Sequence, residues 1–167
     1  MQFVTGNMWQ VGTDQVAAVW VIPTNGSVNG NGNAVMGAGV AKQASSMYKD
    51  LPEVLGRLIQ AWGNHCLLLP HRLVSFPVKH HWNEQADLTL IERSAYELAL
   101  LTSVYRWRPV ILPAVGTGNG GRTWYEVGPI LHENLQSDRY LLVANRPLVT
   151  RDEQAAHPAP PTSTTDT

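Results

Sequence analysis

The chain has 167 residues, 44% of them hydrophobic, and a formal net charge of −1. That length suits one domain with a sizeable core, and the near-neutral balance argues against a broad basic surface for unaided nucleic-acid binding. Its single cysteine, Cys66, excludes an internal disulfide and a cysteine-based zinc site and suits a reducing compartment. No basic-then-apolar leader and no apolar run of membrane-spanning length is spelled, so the expectation is a cytoplasmic monomer with no membrane partner.

Strand and helix patterns alternate along the chain. Gly6 and Asn7 close a first strand. Val16 to Ile22 is a continuous apolar run, as expected of a strand buried on both faces. Residues 25 to 39 are rich in Asn and Gly and read as a loop too polar and flexible for a regular element, with Asn29, Asn31 and Asn33 either stabilising turns or forming a flexible lid. Val40, Ala41, Ala44, Met47 and Tyr48 then recur at helical spacing. A second helical stripe runs from Leu51 to Trp62, with Asp50 at its N-cap and Pro52 in its first turn. His65 to Leu69 and Leu73 to Phe76 read as strands about a turn at Pro70-His71-Arg72.

Asp87 to Tyr105 reads as a long helix, and Val110 to Pro113 as a short buried strand. Thr123-Trp124-Tyr125-Glu126 has the spelling of a capping box. Gly128-Pro129 predicts a kink or restart in the helix it opens, because proline lacks a donor. Tyr140 to Ala144 is the last strand. The pattern places one domain over residues 1 to 149 and a disordered tail, rich in Pro, Ala, Thr and Ser, over 150 to 167.

Two glycine-rich segments, each following an apolar strand-like run and preceding a helix-like stretch, carry the chemistry. The first is Val35-Met36-Gly37-Ala38-Gly39-Val40-Ala41, and the second is Gly116-Thr117-Gly118-Asn119-Gly120-Gly121. Strand, glycine loop and helix N-terminus together present outward N–H groups and a partial positive charge, which is an anion site. Two such loops in one small domain point to a diphosphate held between them. The P-loop spelling G-x-x-x-x-G-K-[ST] is absent. The second segment superficially has G-x-G-x-x-G, but no acidic residue ends a strand about 20 positions later, as a Rossmann site requires.

With Thr24-Asn25 before the first loop and Leu112-Pro113-Ala114-Val115 before the second, these residues resemble the macro domain family. The resemblance implies a three-layer α/β/α sandwich with a mixed central sheet and a site for ADP-ribose. Thr5-Gly6-Asn7, Met36-Gly37-Ala38-Gly39 and Phe76-Pro77-Val78-Lys79-His80-His81-Trp82 are similar to one branch in particular. That branch holds terminal ADP-ribose protein glycohydrolase and the antitoxins that remove ADP-ribose from thymidine in DNA. The antitoxins' essential lysine falls on Lys79. The catalytic Asp of the glycohydrolase falls on Gly120, so a lysine–aspartate pair does not carry over.

The resemblance implies that Asn7 accepts from the adenine amino group, with Met8 beside it, and that Asn25 faces the distal ribose. Gly37, Ala38, Gly39 and Val40 of the first loop and Gly116, Thr117, Gly118, Asn119, Gly120 and Gly121 of the second would hold the diphosphate. Lys79 would act at the anomeric carbon, either as a point charge on the leaving group or as an amine nucleophile. No metal is expected from the spacing of His71, His80 and His81, and no organic cofactor is implied. Trp124 is expected at the helix start or against the ligand, while Trp9, Trp20, Trp62, Trp82 and Trp107 are expected to pack in the interior. The implied partner is ADP-ribose or an ADP-ribosylated protein or DNA. A hydrolase of thymidine- or glutamate-linked ADP-ribose is the leading expectation, with a non-catalytic reader or a hydrolase of a free ADP-ribose derivative as alternatives.

Overall fold

The computed structural model describes residues 1 to 148; the tail expected from 150 lies outside the described residues. Six strands, β1 (Gln2–Thr5), β2 (Val19–Asn25), β3 (Leu68–Leu69), β4 (Leu73–Lys79), β5 (Val110–Pro113) and β6 (Tyr140–Ala144), form one sheet. Its order is β1-β6-β5-β2-β4-β3. All neighbouring pairs run parallel except β3 with β4, so the sheet is mixed.

Successive residues of β2 enter different layers. Val19 and Val21 belong to one core, with Ile91 and Leu98 of α3 (Leu88–Tyr105) and Val127 and Leu131 of α4 (Trp124–Asn134). Trp20 and Ile22 point the other way, into a second core with Ala41 and Ala44 of α1 (Gly39–Met47) and Leu51 and Leu55 of α2 (Leu51–Trp62). This period-2 alternation, buried on both faces, makes the α/β/α sandwich.

Several local expectations change. Strand β2 starts at Val19, because Val16 lies 93% exposed in the preceding turn. The 65–69 strand shrinks to two residues. Its companion β4 instead runs past Phe76 to Lys79, through Pro77. Proline is tolerated there because β3 pairs only as far as Val74, so no second ladder asks for the missing N–H. The Pro77 carbonyl accepts instead from Ser94 Oγ of α3 at 2.8 Å. Asp50 occupies the N-cap of α2 without capping it, and its carboxylate faces His71 Nε2 at 3.2 Å. Helix α4 continues through Pro129 without restarting.

The Asn/Gly stretch folds into a clasp whose asparagine side chains hold turns. Val28 and Ala34 form an antiparallel bridge, and Asn29 Oδ1 accepts from the amides of Asn31 and Asn33. The Ala34 amide then donates to the Pro52 carbonyl at 2.8 Å, tying the loop to α2. Gly56 of α2 makes that contact possible, since a Cβ there would overlap the Gly32 carbonyl oxygen. Trp62 and Trp82 also depart from expectation, being 70% and 60% exposed. Each falls at or beyond the end of its element, where no facing layer remains.

Candidate functional site

Because β1, β6, β5, β2 and β4 are mutually parallel, their C-terminal ends open on one edge of the sheet, the usual place for a ligand crevice in an α/β fold. A cleft of about 2030 Å³ lies there, larger than the roughly 300–1,000 Å³ typical of a single small-ligand pocket. It has room for a ligand and part of what that ligand is attached to. Of the expected site residues, Asn7, Met8, Asn25, Gly37 to Val40, Lys79 and Gly116 to Gly120 all line it. Gly121 does not. Its amide closes a turn on the Gly118 carbonyl and its carbonyl accepts from Gln85 Nε2, both at 3.0 Å.

The two loops supply donors in different ways. Helix α1 begins at Gly39 behind Ala38, which offers no side-chain cap, and its first turn holds no acidic residue. The first-turn amides of Gly39, Val40 and Ala41 are therefore orphan donors at the positive end of a helix dipole. Helix α4 differs. Glu126 Oε2 accepts from the Thr123 amide at 2.7 Å and from its hydroxyl at 2.9 Å, so the helix's own carboxylate occupies that N-terminus. The second loop must instead use its own amides, and no described residue accepts from those of Gly118, Asn119 or Gly120. The loops also meet: a Cβ on Gly39 would lie 3.1 Å from Asn119 Nδ2.

Gly120 is closed to any side chain. A Cβ there would overlap the Gly116 carbonyl oxygen and come within 2.7 Å of its carbonyl carbon. The aspartate that the resemblance to the glycohydrolase would set at that position has no space in this loop. Among the described residues no Asp or Glu lines the cleft at all, whereas Lys42, Lys79, Arg122 and Arg146 do. Arg122 is held by the Ala86 carbonyl (2.7 Å) and Glu126 (3.3 Å). Lys42 and Arg146 form no ion pair among the described residues. An anionic ligand would therefore meet cations and amide dipoles with no opposing carboxylate.

Lys79 is the last residue of β4, opposite Asn25 across a bulge in the β2–β4 pairing. Bulges beside a site re-aim side chains, and this one sets Asn25 and Lys79 side by side. The Lys79 ammonium spans the cleft to the second loop, donating to the Asn119 carbonyl at 2.9 Å and the Trp82 carbonyl at 3.4 Å. Two of its three N–H donors are used, leaving one for a ligand. Just behind it, His80 Nε2 meets Asp87 Oδ2 at 3.0 Å, and the Asp87 amide donates to the Val78 carbonyl, pinning the strand end to the start of α3. The His80 hydrogen bond holds the Asp87 carboxyl below its ordinary range.

Asn7 and Asn25 both have structural duties. Asn7 Oδ1 accepts from the Trp9 amide at 3.0 Å, which is an Asx turn, though a carbonyl oxygen keeps a second lone pair. Asn25 bridges the Ser27 amide and the Val35 carbonyl, each at 2.9 Å, and so holds the mouth of the clasp to β2. Met8 is buried, and its carbonyl accepts from Trp20 Nε1 at 2.9 Å. Trp124 packs edge-on against Phe3 at 5.9 Å and also lines the cleft. Among the described residues no group of three metal-ligating side chains forms, and no helix is long and apolar enough to cross a membrane. Cys66 is buried, and burial pushes its thiol well above the ordinary range, which disfavours the thiolate.

Lys42, Arg146 and Trp82 escape a reading of the sequence alone. Lys42 is one of several helix residues until the helix start is fixed, and Arg146 acquires meaning only when the direction of β6 is known.

No family model matches the chain. It is 28% identical over 148 residues to a DNA ADP-ribosyl glycohydrolase of Thermus aquaticus, covering 82% of this chain and 38% of that protein. The chain thus spans well under half the length of that curated relative. Its structure is similar to the macrodomain of Thermus aquaticus DarG, with a TM-score of 0.68 and 26% identity over 87% of this chain and 97% of that one. Thermosipho africanus DarTG in complex with ADP-ribose shares the fold, with a TM-score of 0.70 and 18% identity over 91% of this chain and 43% of that chain. Sheet order, the two glycine loops at the strand ends and these similarities show that the chain has the fold of a macro domain.

Proposed function

We propose that this chain is an ADP-ribosyl hydrolase that releases ADP-ribose from a nucleobase in DNA. The cleft would hold the adenosine end near Asn7 and Met8, and the diphosphate between the α1 amides and those of Gly118 to Gly120. The distal ribose would then lie by Asn25 and Lys79. In the reaction, water's hydroxyl bonds to the anomeric carbon, the base–ribose bond breaks, and the remaining proton goes to the departing base. The Lys79 N–H left free is a donor beside that bond, where its charge favours the negative charge growing on the leaving base. The similarity to a Thermus DNA ADP-ribosyl glycohydrolase and to a Thermosipho protein in complex with ADP-ribose supports the DNA-linked substrate and the ligand.

The observation that carries the reading is the reach of Lys79 across the cleft to the Asn119 carbonyl. That bond holds the amine against the second glycine loop rather than free in solvent. A second reading has its own observation: with no carboxylate among the described residues lining the cleft, none of them there is an obvious base for water, which suits a reader that binds without turnover.

Incubating the protein with a thymidine-linked ADP-ribosylated oligonucleotide and a glutamate-linked ADP-ribosylated protein separates the two. Release of ADP-ribose from the oligonucleotide supports the hydrolase; tight binding with no release from either substrate assigns the reader. Neither the cytoplasm as location nor the monomer as assembly enters this reading.

A further inference from the structure

Of the three tryptophans that line the cleft, Trp9 and Trp124 are partly buried and Trp82 is exposed. Its backbone is held from both sides. Its amide donates to Ser27 Oγ of the clasp at 3.1 Å, and its carbonyl accepts from Lys79 Nζ at 3.4 Å. The residue is 60% exposed, lines the cleft, and stacks on no other aromatic ring among the described residues. A single exposed aromatic is common on any surface. This one differs in having a fixed backbone and a position adjoining the amine assigned to the scissile bond.

We infer that Trp82 selects the carrier: its indole stacks on the nucleobase from which ADP-ribose is removed. This inference rests on the hydrolase reading above. Whatever is attached at the anomeric carbon leaves the pocket past Lys79, whose amine bonds two exposed residues through their carbonyls, Asn119 and Trp82, and of these two only Trp82 carries a π-face. A flat apolar ring offers a π-face to any base and nothing comparable to the flexible side chain of a glutamate. The clasp would serve this arrangement by setting Ser27 under the Trp82 amide. Its closure onto α2 would then fix the height of the platform.

The test uses Trp82→Ala and Trp82→Phe, measuring kcat/KM on a single-stranded oligonucleotide bearing one ADP-ribosylated thymidine, and Kd for free ADP-ribose. Losing one stacked base should lower kcat/KM on the oligonucleotide roughly 5- to 150-fold in Trp82→Ala. The Kd for ADP-ribose should stay within about threefold, and Trp82→Phe should recover most of the loss because it keeps a π-face. Wild-type rates in Trp82→Ala overturn the inference while leaving the hydrolase reading intact. Equal losses in oligonucleotide turnover and ADP-ribose binding also overturn it, by making Trp82 part of the pocket wall. A wild type that releases nothing from the oligonucleotide removes both the reading and the inference.

Discussion

Replacing Gly118 with glutamate puts a carboxylate in the second loop at almost no structural cost. A Cβ at Gly118 meets no atom within 4 Å, and its φ lies outside the left-handed region. The side chain would project among the unclaimed amides of Gly118, Asn119 and Gly120, where the diphosphate is assigned. Two like charges about 4 Å apart at an effective dielectric of about 20 repel by about 4 kcal/mol. Even half of that would weaken binding by more than an order of magnitude. Calorimetric titration should therefore give wild-type affinity for ADP-ribose on the order of micromolar, about −8 kcal/mol, and no saturation for Gly118→Glu in the same range. The melting temperature of the variant should match wild type within about 2–4 °C. Gly120→Ala is the contrasting control. Its Cβ would overlap the Gly116 carbonyl, so stability and binding should fall together. A folded Gly118→Glu that binds ADP-ribose normally would refute the assignment of the loop.

Two further outcomes concern the scaffold. Gly→Ala inside a helix ordinarily stabilises by about 1 kcal/mol. Gly56→Ala should reverse that sign, lowering the melting temperature, because its Cβ would overlap the Gly32 carbonyl and lie 2.8 Å from the Ala34 amide nitrogen; a higher melting temperature would mean the clasp is not seated on α2. The carboxyls of Glu126 and Asp87 are both held below their ordinary range, Glu126 chiefly by the Thr123 amide and Asp87 chiefly by His80. A group that ionises more readily when folded stabilises the fold above its unfolded pKa, and that support is lost as pH falls through the depressed folded value. Melting temperature should thus decline as pH drops below about 4, with a shallower decline in Glu126→Gln; identical slopes would remove Glu126 from that account.

The parts of the fold legible in the sequence were those set by local pattern. The helix from Leu88 to Tyr105 follows its Asp87 cap, and Val110–Pro113 and Tyr140–Ala144 stand where apolar runs end in turn residues. What escaped depends on distant partners. Pro77 could extend β4 only because β3 stops at Val74, a fact of sheet order. The clasp looked flexible because its Asn and Gly residues have weak local preferences; what orders it is the Pro52 carbonyl and the space left by Gly56.

The site divides in the same way. The glycine loops and Lys79 were visible as motifs, and all but Gly121 reach the cleft. The capping spelling at Thr123 was also visible. That it would deny the second loop its helix dipole follows only once Glu126 is seen bonded to the Thr123 amide. Trp82 belongs with these cases, since its exposure depends on β4 ending three residues earlier.

The most direct test of the central claim compares wild type with Lys79→Ala on the thymidine-linked ADP-ribosylated oligonucleotide, alongside Kd for ADP-ribose. Lys79 is half-buried at a strand end and among the described residues bonds only two carbonyls, so its removal should leave the fold and the diphosphate site in place. Loss of a positioned catalytic group commonly costs about 100-fold or more in rate, and a group acting at the anomeric centre should lower turnover far more than ligand affinity. The account predicts release by the wild type, a fall of at least about 100-fold in Lys79→Ala, and little change in Kd. A variant that releases ADP-ribose at the wild-type rate, or a wild type that binds ADP-ribose and releases none, would contradict it.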